Sequence, residues 1–195
     1  MQPSRIIAAV LLIAAWAPGA RADDVMDQIN EAITAYQKHD LQTAVTALDA
    51  ADDLLRQGRA DQLKALLPAA PPGWTAKEVE TSAVGLAALG GGLSAGRTYT
   101  KDGQQVEVQI TMDSPVMRGL AAMLASPIAA VGGMKTVVFG GRRLSYMPDE
   151  NMYMALIGDR VVVKVSGDKD VPDATLKLFL AGIDFPAAET LGRLH

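Results

Sequence analysis

The 195-residue chain contains no cysteine, two histidines, and few aromatics: two Trp, four Tyr and three Phe. Each scarcity excludes something. Without cysteine there is no disulfide, no thiolate metal site and no thiol for a lipid anchor. The two histidines, His39 and His195, leave nucleophilic catalysis without an evident base. One interrupts a helical pattern and the other is the last residue. The Gly-x-Ser-x-Gly elbow is also missing, since Ser114 sits in Asp-Ser-Pro-Val-Met. No catalytic residue is assigned, no cofactor is expected, and the chain reads as a non-enzyme. Adjacent acids (Asp23-Asp24, Asp52-Asp53, Asp149-Glu150) point apart on a helix or strand, and no EF-hand loop occurs. They read as solvated surface charge.

Long apolar runs are also scarce, with one exception. Ile6 to Trp16 follows Arg5 and precedes Pro18-Gly19 and then Ala20-Arg21-Ala22. That order is expected of a secretory signal peptide over residues 1–22, cleaved after Ala22. The apolar run is shorter than the roughly 20 residues that span a bilayer, so no stable membrane span is expected after cleavage. A periplasmic or secreted location follows. Loss of Arg5 and Arg21 leaves 16 basic and 22 acidic residues, taking the net charge from −4 to −6. This acidity, with few aromatics, argues against nucleic-acid binding.

Residues 23–67 read as a helical hairpin. Val25, Ile29, Ile33 and Tyr36 mark one helical face. Asp40 is the expected N-cap of a second helix striped by Leu41, Ala44, Val45, Leu48, Ala51 and Leu55 and ending near Gly58. A third, short helix is expected over Ala60–Leu67. Ala35, Tyr36, Asp40, Ala44 and Leu48 resemble a single tetratricopeptide repeat, but one such unit cannot bury its own face.

Residues 68–73 (Pro-Ala-Ala-Pro-Pro-Gly) form a stiff linker, after which the period becomes that of strands. A first strand is expected over Lys77–Thr81. Leu93–Lys101 and Gln104–Met112 flank Asp102-Gly103, a two-residue hairpin signal. An apolar helix is expected after Ser114, with Ser114 as its cap. Further strands are expected over Lys135–Phe139, Arg142–Met147, Met152–Ile157 and Arg160–Ser166, the last two joined by Gly158-Asp159. A final helix runs from Val171-Pro172-Asp173 to about Ile183, and residues 191–195 form a tail. The fold class is α+β: an N-terminal helical hairpin, then, over residues 74–190, a mostly antiparallel sheet with helices packed on one face.

The stretch from Leu67 to Thr190 resembles a group of exported bacterial proteins of unknown function. The resemblance rests on "LLPAAPPGWTAKEVE", "GLSAGRTY", "VEVQITMDSP" and "GRRLSYMPDENMYMALIGDRVVVKVSG". The order of strands and helices is also similar to the Mog1/PsbP-type sandwich. The first implies export and no particular activity; the second concerns fold alone.

The function expected is therefore binding, of an envelope partner protein or an apolar small ligand. Two apolar segments rich in small residues, 82–92 and 120–131, could rim such a site. Arg118 carries a positive charge in the first turn of the expected helix, where it opposes the helix dipole and needs a partner, Asp113 or a bound anion. Arg118, Leu120, Met123 and Leu124 are the candidate contact residues. The rival reading is Cu(I) handling. Seven of the eight methionines after residue 22 lie between Met112 and Met154, and thioethers are soft ligands for Cu(I). Met147, Met152 and Met154 are the candidate ligands, although methionine also fills irregular cores.

Overall fold

A computed structural model of the protein describes residues 20–82, 92–114, 119, 133–158 and 160–193. Two compact units are present, one up to Leu55 and the other from Arg56 onward. In the first, helix α1 (Ala20–Gln37) and the start of helix α2 (Leu41–Ala65) pack as a hairpin around a short turn. His39 takes a left-handed conformation (φ 61°) in that turn. Asp40 caps α2 as its sequence position requires: Thr43 N–H donates to Asp40 Oδ1 at 3.1 Å and the Thr43 hydroxyl to Oδ2 at 2.7 Å. These bonds, the hydroxyl one first, hold the Asp40 carboxyl below its ordinary value. α2 does not stop at Gly58. It runs unbroken to Ala65, so the separate third helix is absent, a glycine in mid-helix costing only about 1 kcal/mol. Its last turn compensates by inserting Leu63, Leu66 and Leu67 into the core of the second unit.

The second unit is built on an eight-stranded antiparallel sheet. Its strands are β1 (Thr75–Ala76), β2 (Glu80–Ser82), β3 (Leu93–Lys101), β4 (Gln104–Met112), β5 (Lys135–Phe139), β6 (Arg142–Met147), β7 (Met152–Ile157) and β8 (Val161–Gly167). The order across the sheet is β1-β3-β4-β8-β7-β6-β5, with β2 also paired to β3. The single strand expected over Lys77–Thr81 is thus two short ones. Thr75 pairs with Thr100 but Glu80 with Gly96, a register one residue out of step, so a bulge separates them. Asp102 (φ 49°) and Gly103 (φ 83°) make the tight β3–β4 turn, both residues needing positive φ as a type I′ turn demands.

One face of this sheet carries the core. Leu93, Ala95 and Tyr99 of β3, Val106, Val108 and Ile110 of β4, and Val161, Val163 and Val165 of β8 belong to a single buried cluster, with Tyr153, Ala155 and Ile157 of β7 and Leu144 of β6. Alternation puts these side chains on the same side. Two helices cover that side: α3 (Asp173–Ala181) packs on β8, and α4 (Phe185–Arg193) on β8 and β7. Phe179 of α3 lies edge-on to Trp74 (5.2 Å between centroids) and tilted against Tyr99 (4.7 Å). α3 ends at Ala181, and α4 is a helix that the sequence reading did not anticipate. Asp184 caps it, accepting from Ala187 N–H at 3.0 Å, with Pro186 in the first turn. The fold class is the expected one, α+β with a helical hairpin ahead of an antiparallel sheet.

Candidate functional site

In the hairpin, small side chains are inside and large ones outside. Ala32 and Ala35 of α1 and Ala44, Ala47 and Ala51 of α2 are 3–6% exposed. Met26, Ile33 and Tyr36 of α1, and Leu41, Val45, Leu48 and Leu55 of α2, are 50–67% exposed. Of the stripes read from sequence, Ala44 and Ala51 are buried and Val25 and Ile29 half-buried, while Ile33, Tyr36, Leu41, Val45, Leu48 and Leu55 are exposed. A methyl group lets two helix axes approach closely and loses no rotamer entropy on burial.

Helical geometry fixes where the excluded residues point. At about 100° per residue, each large apolar stripe lies roughly a quarter turn from its alanine seam, in the same rotational sense on both helices. The helices are antiparallel, so both stripes emerge on the same side of the hairpin. Together they form one apolar face. On α2 its line is interrupted by Asp52, midway between Leu48 and Leu55, and Asp49 and Asp53 flank it. From Asp23 to Leu55 there are eight carboxylates and a single cation, Lys38. From Arg56 to the end there are 14 acidic and 15 basic residues. The negative charge of the chain is concentrated in the hairpin.

A second concentration lies on the sheet face opposite the helices. There Glu107 and Gln109 of β4, Lys164 and Ser166 of β8, Ser145 of β6 and Thr136 of β5 alternate with the core positions. Among these polar neighbours Met147 pairs directly with Met152, and Met154 follows two residues along β7 on the same face. Met134 immediately precedes Lys135, whose partner is Tyr146, so continuing that register sets Met134 opposite Met147. Met152 is 9% exposed, and the other three are half-buried. None belongs to the buried cluster under the helices. Met112, by contrast, is on the helix-covered face and is part of it.

The remaining candidates divide by position. Arg118, Leu120, Met123 and Leu124 lie outside the described residues, as do both apolar rim segments apart from their end residues Ser82 and Gly92, the signal-peptide run and the body of the helix after Ser114. Ser114 itself is buried. Asp113 has φ 55° and receives Arg160 Nε at 2.6 Å and Arg160 Nη2 at 3.0 Å, with Arg59 of α2 as a further ion-pair partner. A strand end, a loop and a helix are thereby tied together. Tyr153 donates its hydroxyl to Asp173 Oδ1, and Lys177 pairs with Oδ2 at 2.7 Å. Burial, reinforced by the Asp173 bond, raises the Tyr153 hydroxyl well above its ordinary value. The Lys177 bond and then the Tyr153 bond lower Asp173. These are structural pairings at the start of α3, beside a polar cavity of about 620 Å³ lined by Tyr146, Asp149, Asn151, Lys169 and Asp173.

Among the described residues no three His, Cys, Asp or Glu side chains converge as a metal site, and no helix is long and apolar enough to cross a membrane. A cleft of about 430 Å³ is lined by Arg142, Arg143, Arg193 and Glu189. Glu189 neutralises it in part, pairing with Arg142 at 2.8 Å and Arg193 at 3.6 Å. Among the described residues the hairpin face and the methionine patch stand apart from the buried core. Sequence reading missed the outward turn of the hairpin stripes, although the alanine spacing carried the signal. It also missed Met134, which only strand register brings to the others. No family model, curated protein or solved structure matches this chain.

Proposed function

We propose that the protein is an exported, non-enzymatic binding protein that holds an envelope partner through the outer face of its helical hairpin. The partner we infer is an amphipathic helix with lysines or arginines flanking its apolar stripe. One observation carries this reading: seven large apolar side chains stand at least half exposed on one side of a hairpin whose interior is alanine. They leave on the order of 700 Å² of apolar surface, close to the ~800 Å² per partner of a standard interface and beyond the few hundred Å² usual for a solitary patch. An open two-helix face suits an amphipathic helix at i, i+3, i+4 spacing better than a small molecule, which needs a concave site. Asp49 and Asp53, with the seven-unit excess of negative charge from Asp23 to Leu55, select a basic rim. They also disfavour a second copy of the same face.

The test uses the chain from Asp23 onward and a synthetic helical peptide with a leucine stripe and lysine flanks. Calorimetry is expected to show binding that weakens with salt and falls at least about tenfold in an Ile33→Gln/Leu48→Gln double variant. Equal binding of a peptide with glutamate flanks, or an unaffected double variant, would remove the proposal. So would concentration-dependent dimerisation of the protein alone, because a second copy would then be the occupant.

A further inference from the structure

We propose that Met134, Met147, Met152 and Met154 form a Cu(I) site on the sheet face opposite the helices. The inference is independent of the hairpin: it concerns a different element and a different ligand class. Its first support is register. Met147 and Met152 are direct cross-strand partners, and Met154 is the next residue on the same face of β7. Directly opposed side chains have Cβ atoms about 5 Å apart, and residues two apart on a strand are about 7 Å apart. A methionine side chain, with three rotatable bonds, spans those gaps. Met134 is the residue just before β5, one step beyond the Lys135–Tyr146 pair, so the same register carried one residue further sets it opposite Met147.

The second support is placement. Methionine used for packing belongs in the core, as Met112 does. These four instead lie outside that core and share their face with Glu107, Gln109, Ser145, Lys164 and Ser166, as well as with the apolar pair Leu156 and Val162. The ammonium of Lys164, cross-strand from Met154, is engaged by Glu107 at 3.5 Å, which offsets its repulsion of a cation.

The third support is ligand chemistry. Thioether sulfur prefers Cu(I) to Cu(II), Zn(II) and hard cations, and this chain has no cysteine to compete for a soft ion. A thioether also has no proton to lose on binding. Affinity at such a site is therefore flat between about pH 5 and about pH 8, unlike that of a histidine or carboxylate site.

The experiment presents Cu(I) as its weakly held acetonitrile complex, without oxygen, to the chain from Asp23 onward. One equivalent is expected to transfer with a dissociation constant below about one micromolar and no dependence on pH over that range. The Met147→Leu/Met152→Leu/Met154→Leu variant is expected to lose at least about a hundredfold in affinity, and Met112→Leu to lose none. In wild-type protein labelled at methionine methyl groups, the resonances of these four residues are expected to shift and that of Met112 to stay. The labelled wild-type measurement stands even if the triple variant fails to fold. No transfer at micromolar Cu(I), undiminished affinity in the folded triple variant, shifts centred elsewhere, or a steep pH dependence would each overturn the site.

Discussion

Adjacent positions on α2 offer a direct test of the inverted hairpin. Ala47 is 3% exposed and lies on the seam, while its neighbour Leu48 is 54% exposed on the outer face. A hydrophobicity argument alone favours Ala47→Leu, which adds apolar surface to an amphipathic helix, and disfavours Leu48→Gln. The structure reverses the order. Ala47→Leu forces three extra carbons into a site that is already closed around a methyl group, and overpacking of this kind costs about 1–3 kcal/mol. Leu48→Gln removes no buried contact, and Leu and Gln have similar helix propensity, so its cost is within about 0.5 kcal/mol. Urea unfolding of the chain from Asp23 onward, followed by far-UV circular dichroism, measures both. If Leu48→Gln proved the more damaging of the two, the alanine seam would be wrong and the large stripes would be the contact.

Two further predictions concern the second unit. Tyr99 is fully buried and donates its hydroxyl to the Pro68 carbonyl at 2.6 Å, so Tyr99→Phe strands a buried acceptor and lowers stability by about 1–3 kcal/mol. Denaturation followed by the fluorescence of Trp74 reads this directly, and an unchanged midpoint would refute the bond's role. Asp173 is lowered from 3.8 in the folded state, so the stability it contributes is present above about pH 3.8 and lost as pH falls through the lower folded value. Tyr153 is raised from 10.0, so its contribution is complete below that pH and lost as pH rises through the folded value. The stability difference between wild type and Asp173→Asn is therefore expected to shrink in acid, and a difference independent of pH would contradict the pairing.

The sheet was legible because its signals are local. Alternation in Gln104–Met112 and turn chemistry at Asp102-Gly103 place both strands of the hairpin at their observed limits. β5, β6 and β7 were legible for the same reason, bounded by Gly140-Gly141 and by Pro148–Asn151. Competing terms decided the rest. Gly58 looked like a helix end, but the burial of Leu63, Leu66 and Leu67 beyond it outweighs one glycine's propensity. α4 was hidden by its composition, with Pro186 and Gly192 inside nine residues, even though Asp184 and Pro186 are a recognisable start. Of the candidate sites, Met147, Met152 and Met154 were visible because they are close in sequence. Met134 is 13 residues before Met147 and joins them only through the pairing of β5 with β6. Which side of each hairpin helix faces inward could not be read from hydrophobic period, because alanine and leucine stripes share that period and differ only in how close they let the axes come.

The alanine seam has a thermodynamic corollary. Five buried methyl groups supply only about 4 kcal/mol of transfer free energy, a small sum for holding two helices in register. The hairpin is thus expected to be the least protected part of the chain in amide exchange, opening more readily than the strands beneath α3 and α4. A ligand that binds only the closed form raises the opening free energy by RT ln(1 + [L]/Kd), where [L] is its free concentration. Protection of the amides around Ala35 and Ala47 thereby becomes a gauge of occupancy: whatever settles on the outer leucines is recorded by the exchange rate of the alanines behind them.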